Sequence, residues 1–115
     1  MTKTTELKDL SMSFAIKIIR LCETIQGHSS LRNQLERSAT SIGANLREAN
    51  YAHSKIDFIS KLKIALKECY ESEYWLELFK QAELTSNDTA VELTNIAGKI
   101  RRMLIASINT AEVNP

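Results

Sequence analysis

Apolar residues return every three or four positions along almost the whole chain. From Leu7 to Ile25 they fall at Leu7, Leu10, Phe14, Ile18, Leu21 and Ile25, with Ala15, Ile19 and Cys22 beside them. This is the spacing of a broad apolar stripe on a helix. Gly27 follows where a left-handed cap ends such a helix. Ser29 or Ser30 is placed to cap a second, in which Leu31, Leu35, Ala39, Ile42, Leu46 and Ala49 share one side. After a polar Ala-His-Ser stretch, Ser54 stands three residues before Asp57, a weaker relative of the capping box, and opens a long third helix. Ser86 or Asn87 caps a fourth, with Leu93, Ile96, Ala97, Ile100, Met103, Leu104 and Ile108 on one face and Lys99 and Arg102 on the other. The pattern predicts helices over about 5–26, 30–51, 55–82 and 87–110. Connections this short make consecutive helices antiparallel neighbours. The expected fold class is all-α, an antiparallel up-down-up-down four-helix bundle, as a single domain over residues 1–115.

Composition removes the competing architectures. The 115 residues include only 3 Gly and 1 Pro, and the Pro is the terminal residue, too few turn formers for a sandwich or barrel. With 43% hydrophobic and 25% charged residues the chain reads as globular, not disordered. Fifteen Lys and Arg against fourteen Asp and Glu leave a formal charge of +1, so no global field draws the molecule to nucleic acid or acidic membranes. Any such binding has to be local. Cys22 and Cys69 lie in separate apolar patterns and read as buried, reduced thiols. The opening residues show no basic segment followed by an apolar run, and no stretch approaches the ~20 apolar residues of a membrane span. A cytoplasmic location with no membrane partner is expected.

Two faces exceed what a plain bundle needs. At ~100° per residue, Gln34, Arg37, Ser38, Ser41, Asn45 and Glu48 form one polar stripe on the second helix, beside its apolar face. Polar groups so near the core boundary suggest partners on another helix; a wetted helix edge is the alternative. On the third helix the main core stripe is Phe58, Ile59, Leu62, Ala65, Leu66, Cys69, Leu76 and Phe79. Antiparallel pairing across the 52–55 connection sets Arg37 opposite Glu71, which predicts a partly shielded ion pair with Glu73 as the alternative acceptor. Ile64, Trp75, Leu78 and Ala82 make a second apolar stripe on the same helix. With Tyr74 beside it, this stripe reads as an oligomer surface, with Ile64, Tyr74, Trp75 and Leu78 as interface candidates. The alternative is a long helix bending around a deeper core.

The run QLERSATSIGANLREA, Gln34 to Ala49, followed by DFISKLKIALKECYESEYWL, Asp57 to Leu76, resembles the four-helix-bundle family first described as proteins encoded by intervening sequences in bacterial 23S rRNA genes. Gln34, Arg37, Ser38, Ser41, Ile42, Asn45, Leu46 and Glu48 match the first half of the family pattern, and Phe58, Ile64, Ala65, Glu71 and Glu73 match the second. Ala49 stands where relatives commonly have Gly, and Lys67 and Glu68 where they often have Gly-Ser. The resemblance implies an antiparallel bundle that assembles into rings, typically pentamers, without known catalytic activity. A related branch, the accessory variability proteins of diversity-generating retroelements, is similar in fold and binds nucleic acid and a reverse transcriptase through a basic surface. The charge of +1 sets this chain apart from that strongly basic branch.

No catalytic constellation stands out. His28 and His53 sit in connections, outside any metal-ligand spacing, and there is no phosphate-cradling Gly loop or nucleophile elbow. Glu68, Glu71 and Glu73 resemble a carboxylate cluster but have no histidine at ligand spacing. A carboxylate metal-site enzyme is therefore the remote reading, and neither a metal nor a cofactor is expected. Lys55, Lys61, Lys63 and Lys67 gather near the start of the third helix and Glu68, Glu71, Glu73, Glu77 and Glu83 after them. One end of the bundle is thus expected to be basic, and a ring multiplies that field. Lys55, Lys61, Lys63, Lys67, Lys99, Arg101 and Arg102 are the candidates for contacting RNA or DNA. The expected function is a non-enzymatic homo-oligomeric binding or scaffold protein, with RNA or DNA as one partner class and another polypeptide as the alternative.

Overall fold

Ser54 and Ser86 each hold extended backbone and turn a side-chain oxygen onto the helix that follows. Ser54 Oγ accepts the Asp57 N–H at 3.0 Å and Ser86 Oγ accepts the Thr89 N–H at 3.2 Å, satisfying donors that a helix start leaves open. These caps begin α3 (Lys55–Gln81) and α4 (Asn87–Val113), which follow α1 (Lys3–Thr24) and α2 (Ser29–Ala49). The computed structural model describes residues 3–114, with side chains from residue 5 onward. Among the described residues there is no strand.

The start of α2 departs from the serine cap expected there. Ser29 is already helical, and the cap position belongs to His28, whose side chain makes no capping bond. The turn is built by two consecutive left-handed residues, Gly27 at φ 76° and His28 at φ 53°. The His28 carbonyl accepts from the Leu31 and Arg32 amides at 3.0 Å, while Arg32 Nε donates to the Gly27 carbonyl at 2.8 Å. An arginine reaching back thus pins the turn through a carbonyl, and His28 supplies no side-chain acceptor for the first helical N–H groups. At the same end of the molecule, in the α3–α4 connection, Glu83 supplies a left-handed residue (φ 59°) where no glycine is present.

Each helix packs on the next and α4 closes onto α1, while the diagonal pairs make no close backbone approach among the described residues. That arrangement is an antiparallel up-down-up-down bundle around one central core. A 27-residue helix is about 40 Å long, which accounts for a molecule measuring 48 × 23 × 22 Å. Phe14, Ile18, Leu35, Ile42, Leu76, Phe79, Ile100 and Leu104 are fully buried along its axis. The α2–α3 contact is the most extensive, and small residues allow it: Ser38, Ala39, Ala65 and Ser72 are all fully buried. Ser72 Oγ lies 2.9 Å from both Ser38 Oγ and the Glu68 carbonyl, and Ser38 Oγ donates to the Leu35 carbonyl at 3.2 Å. Two hydroxyls therefore cross the core as a satisfied pair.

The broad stripe expected on α1 is only partly covered. Leu7, Phe14, Ile18, Leu21 and Ile25 are buried, but Ile19 remains exposed together with Met12 and Ile16. Cys22 and Cys69 are both buried and unpaired by disulfide.

Candidate assembly surface and the polar seam beside it

The polar stripe of α2 divides its bonds between its own helix and α3. Ser41 Oγ donates to the Arg37 carbonyl at 2.6 Å and Asn45 Nδ2 to the Ser41 carbonyl at 2.8 Å, so these two side chains are held by α2 itself. Arg37 reaches across instead. Its guanidinium pairs with Glu71 Oε2, lies 3.1 Å from Glu68 Oε2, and is steadied by Gln34 Oε1 at 3.3 Å. Trp75 Nε1–H donates to the same Glu71 oxygen at 3.1 Å. Farther along the seam, Lys61 meets Glu48 at 3.4 Å.

Glu73 lies elsewhere. Two residues after Glu71 the helix has turned by ~200°, so Glu73 faces α4 and receives Arg101 Nε at 2.9 Å. Arg101 also stands 6.0 Å over the Tyr70 ring, a cation–π arrangement. The three glutamates that look like a cluster in one dimension are thus split between two arginines on opposite sides of α3. Among the described residues, no group of three or more His, Cys, Asp or Glu is placed to hold a metal ion.

The arginine seam is only partly shielded. The Arg37 side chain is 49% exposed and Glu71 30%, although Glu68 is down to 13%. The ion pair is therefore a rim contact whose carboxylates sink toward the core while the guanidinium stays wet.

The second apolar stripe of α3 is also divided by the fold. Ile64 and Tyr74 are exposed, Leu78 is half-buried, and Trp75 packs partly against the core. The indole meets Tyr74 edge-on, with ring centroids 5.0 Å apart. Ile56 and Tyr70 join Ile64 and Tyr74 on the outer face of α3, where Ser60, Lys63 and Lys67 lie between them in a shallow depression. Ile56 and Tyr70 fall outside the Ile64–Trp75–Leu78 stripe legible in the sequence, because that stripe runs nearer to the core than the face they occupy. Ser72 is a further core position without an apolar signal, marked only by its place between Cys69 and Leu76 on the core stripe.

Most of the basic candidates are matched by carboxylates. Lys61 meets Glu48, Lys63 meets Glu112 and Lys99 meets Glu6, each at 3.4 Å, and Arg101 is held by Glu73. Lys55, Lys67 and Arg102 have no ion-pair partner among the described residues. Arg102 and Lys99 border a groove of about 650 Å³ floored by Phe58, Met103 and Ala106. No helix among the described residues is long and apolar enough to cross a membrane.

These features define a class: a small all-α protein in which an antiparallel four-helix bundle carries an arginine-centred polar seam between its second and third helices. Within that class the chain belongs to the family of 23S rRNA-intervening sequence proteins, whose pattern matches residues 3–106. It is similar to a crystal structure of a protein of unknown function from the S23 ribosomal protein family of Bacteroides thetaiotaomicron VPI-5482. The two are 40% identical over 94% of this chain and 99% of that one, with a TM-score of 0.88. No curated protein matches the chain.

Proposed function

We propose that this protein is a non-catalytic scaffold of the bacterial cytoplasm that assembles with copies of itself into a ring, five subunits being the number the family resemblance implies. The observation that carries this reading is the outer face of α3, where Ile56, Ile64, Tyr70 and Tyr74 are exposed along one helix. Exposed apolar and aromatic side chains aligned on one helix face are what protein interfaces bury. Light scattering on the purified protein is the test. A multiple of 13.0 kDa is expected for the wild type, and Tyr74→Glu combined with Ile64→Glu should return it to the monomer. A wild type that stays at 13.0 kDa at every concentration overturns the proposal.

The second reading is that the assembly binds RNA or DNA. Lys55, Lys67 and Arg102 have no carboxylate partners among the described residues, and a ring would repeat these cations from subunit to subunit. Binding at low salt that weakens as salt rises supports this reading. A polypeptide that co-purifies without nucleic acid supports the alternative, in which the ring is a platform for another protein.

A further inference from the structure

The outer face of α1 carries a feature that the α3 surface does not account for. Met12, Ile16 and Ile19 are 54%, 46% and 40% exposed, and their spacing of four and three residues lines them up on one face of the helix. This face is turned away from α3, since α1 and α3 are diagonal in the bundle. The polar residues around it are ordered by sign. Lys8 lies at the beginning of the stripe and Glu23 at its end, both close to the line of apolar residues. On the edge away from α2, Asp9 lies near the beginning and Arg20 near the end.

We infer that this face is a two-fold contact with a second copy of the chain, in which two α1 helices pack antiparallel about Ile16. In that register Met12 of each copy meets Ile19 of the other. Lys8 faces Glu23, and Asp9 comes within reach of Arg20. About Ile16 facing positions sum to about 32, so each end of the contact gathers Lys8 and Asp9 of one copy with Arg20 and Glu23 of the other, two cations with two carboxylates. A parallel pairing would instead set Lys8 against Lys8 and Glu23 against Glu23. Antiparallel self-pairing is the arrangement that joins the apolar residues and the charges together. Glu23 already has Arg20 of its own helix at 3.7 Å, so across the contact it sits between two cations. The shared length is under the ~33 Å of the 22-residue helix, which places the contact at the small end of specific interfaces. This contact is isologous and separate from the α3 face, so it joins two monomers, or two assemblies whose own contacts leave α1 uncovered.

Ile16→Cys is the direct test, because the native thiols Cys22 and Cys69 are buried and leave the new one as the reactive site. Mild oxidation of this variant at high protein concentration should give a covalent dimer, with both copies linked through residue 16. Lys8→Glu and Glu23→Lys should each lower the yield severalfold, and the two changes in one chain should restore it. No covalent dimer from Ile16→Cys overturns the inference, as does a double charge reversal that fails to recover what each single change loses. Tyr74→Glu with Ile64→Glu should leave the cross-link unchanged, so loss of the α3 assembly and loss of this contact are read separately.

Discussion

Glu83 occupies backbone space that a side chain makes costly. At φ 59° it is the left-handed residue of a Schellman turn, in which the Leu84 N–H donates to the Phe79 carbonyl at 2.8 Å and the Glu83 N–H to the Lys80 carbonyl at 3.1 Å. A Cβ in this conformation costs about 1 kcal/mol relative to glycine. Glu83→Gly is therefore expected to stabilise the bundle by up to about 1 kcal/mol in urea unfolding. Gly27, at φ 76° with nothing within 4 Å of an added Cβ, gives the converse. Gly27→Ala should cost about 1 kcal/mol through conformation alone. The thiols make a different prediction. Burial pushes Cys22 and Cys69 from 9.0 up to about 12, with Glu36 and Glu73 respectively adding to the rise. The folded protein keeps protons that the unfolded chain releases, so this contribution to stability is complete below pH 9 and lost as the pH climbs toward 12. Both thiols should resist alkylation at pH 8 until urea is added. Replacing Cys69 with Ala should flatten the alkaline fall in unfolding free energy relative to the wild type.

At the scale of the helix, α3 joins two seams of different character. Its α2 side holds Arg37 through Glu68 and Glu71, and its α4 side holds Arg101 through Glu73. Arg37→Met removes a half-exposed guanidinium, so the expected loss is about 1–2 kcal/mol, below the ~3–5 of a fully buried pair. Adding Glu71→Leu should recover part of that loss, and Trp75 fluorescence should change with either substitution because its Nε1–H is bonded to Glu71. Ser72→Leu should cost about 1–3 kcal/mol by overpacking against Ser38, whereas Ser72→Ala should cost under about 1 because Ser38 keeps the Leu35 carbonyl. How legible each of these features was depends on how local its cause is. The helical periods and the Ser54 and Ser86 caps act within a few residues, and they can be read directly from the chain. The left-handed His28 and Glu83 carry no glycine signal, since both are exposed side chains whose backbone is held by hydrogen bonds of the turn itself. Arg37 opposite Glu71 follows from antiparallel register, but the added reach to Glu68 depends on side-chain length across a gap that only packing defines. Trp75 lies on an outer stripe by angle, yet its large ring leans onto the core and its N–H is satisfied there. The part of the α1 stripe left open at Met12, Ile16 and Ile19 is likewise set by where α2 settles.

Over the whole molecule, cations and carboxylates are separated along the long axis more than the formal charge of +1 suggests. Lys55, Lys61, Lys63 and Lys67 lie toward one end of α3, and Glu77 and Glu83 toward the other. The folded arrangement nevertheless weakens the basic end, because Glu48, Glu112 and Glu6 come from the other three helices to meet Lys61, Lys63 and Lys99. Of the seven basic candidates, Lys55, Lys67 and Arg102 remain without ion-pair partners among the described residues. If each neutralises one phosphate, binding of a single strand should show a log–log salt slope of about −2 per subunit engaged. A ring would add these small terms over its subunits while each monomer alone binds weakly. Fluorescence anisotropy with a labelled single-stranded RNA therefore separates the two functional readings. The nucleic-acid reading expects binding at low salt with that slope, reduced by about 0.7 per subunit in Lys67→Gln. It also expects near loss of binding in the Tyr74→Glu, Ile64→Glu variant that no longer assembles. Lys61→Gln should have little effect, because its charge is already matched by Glu48. Binding that is absent at low salt, or indifferent to salt, leaves the ring as a platform for protein.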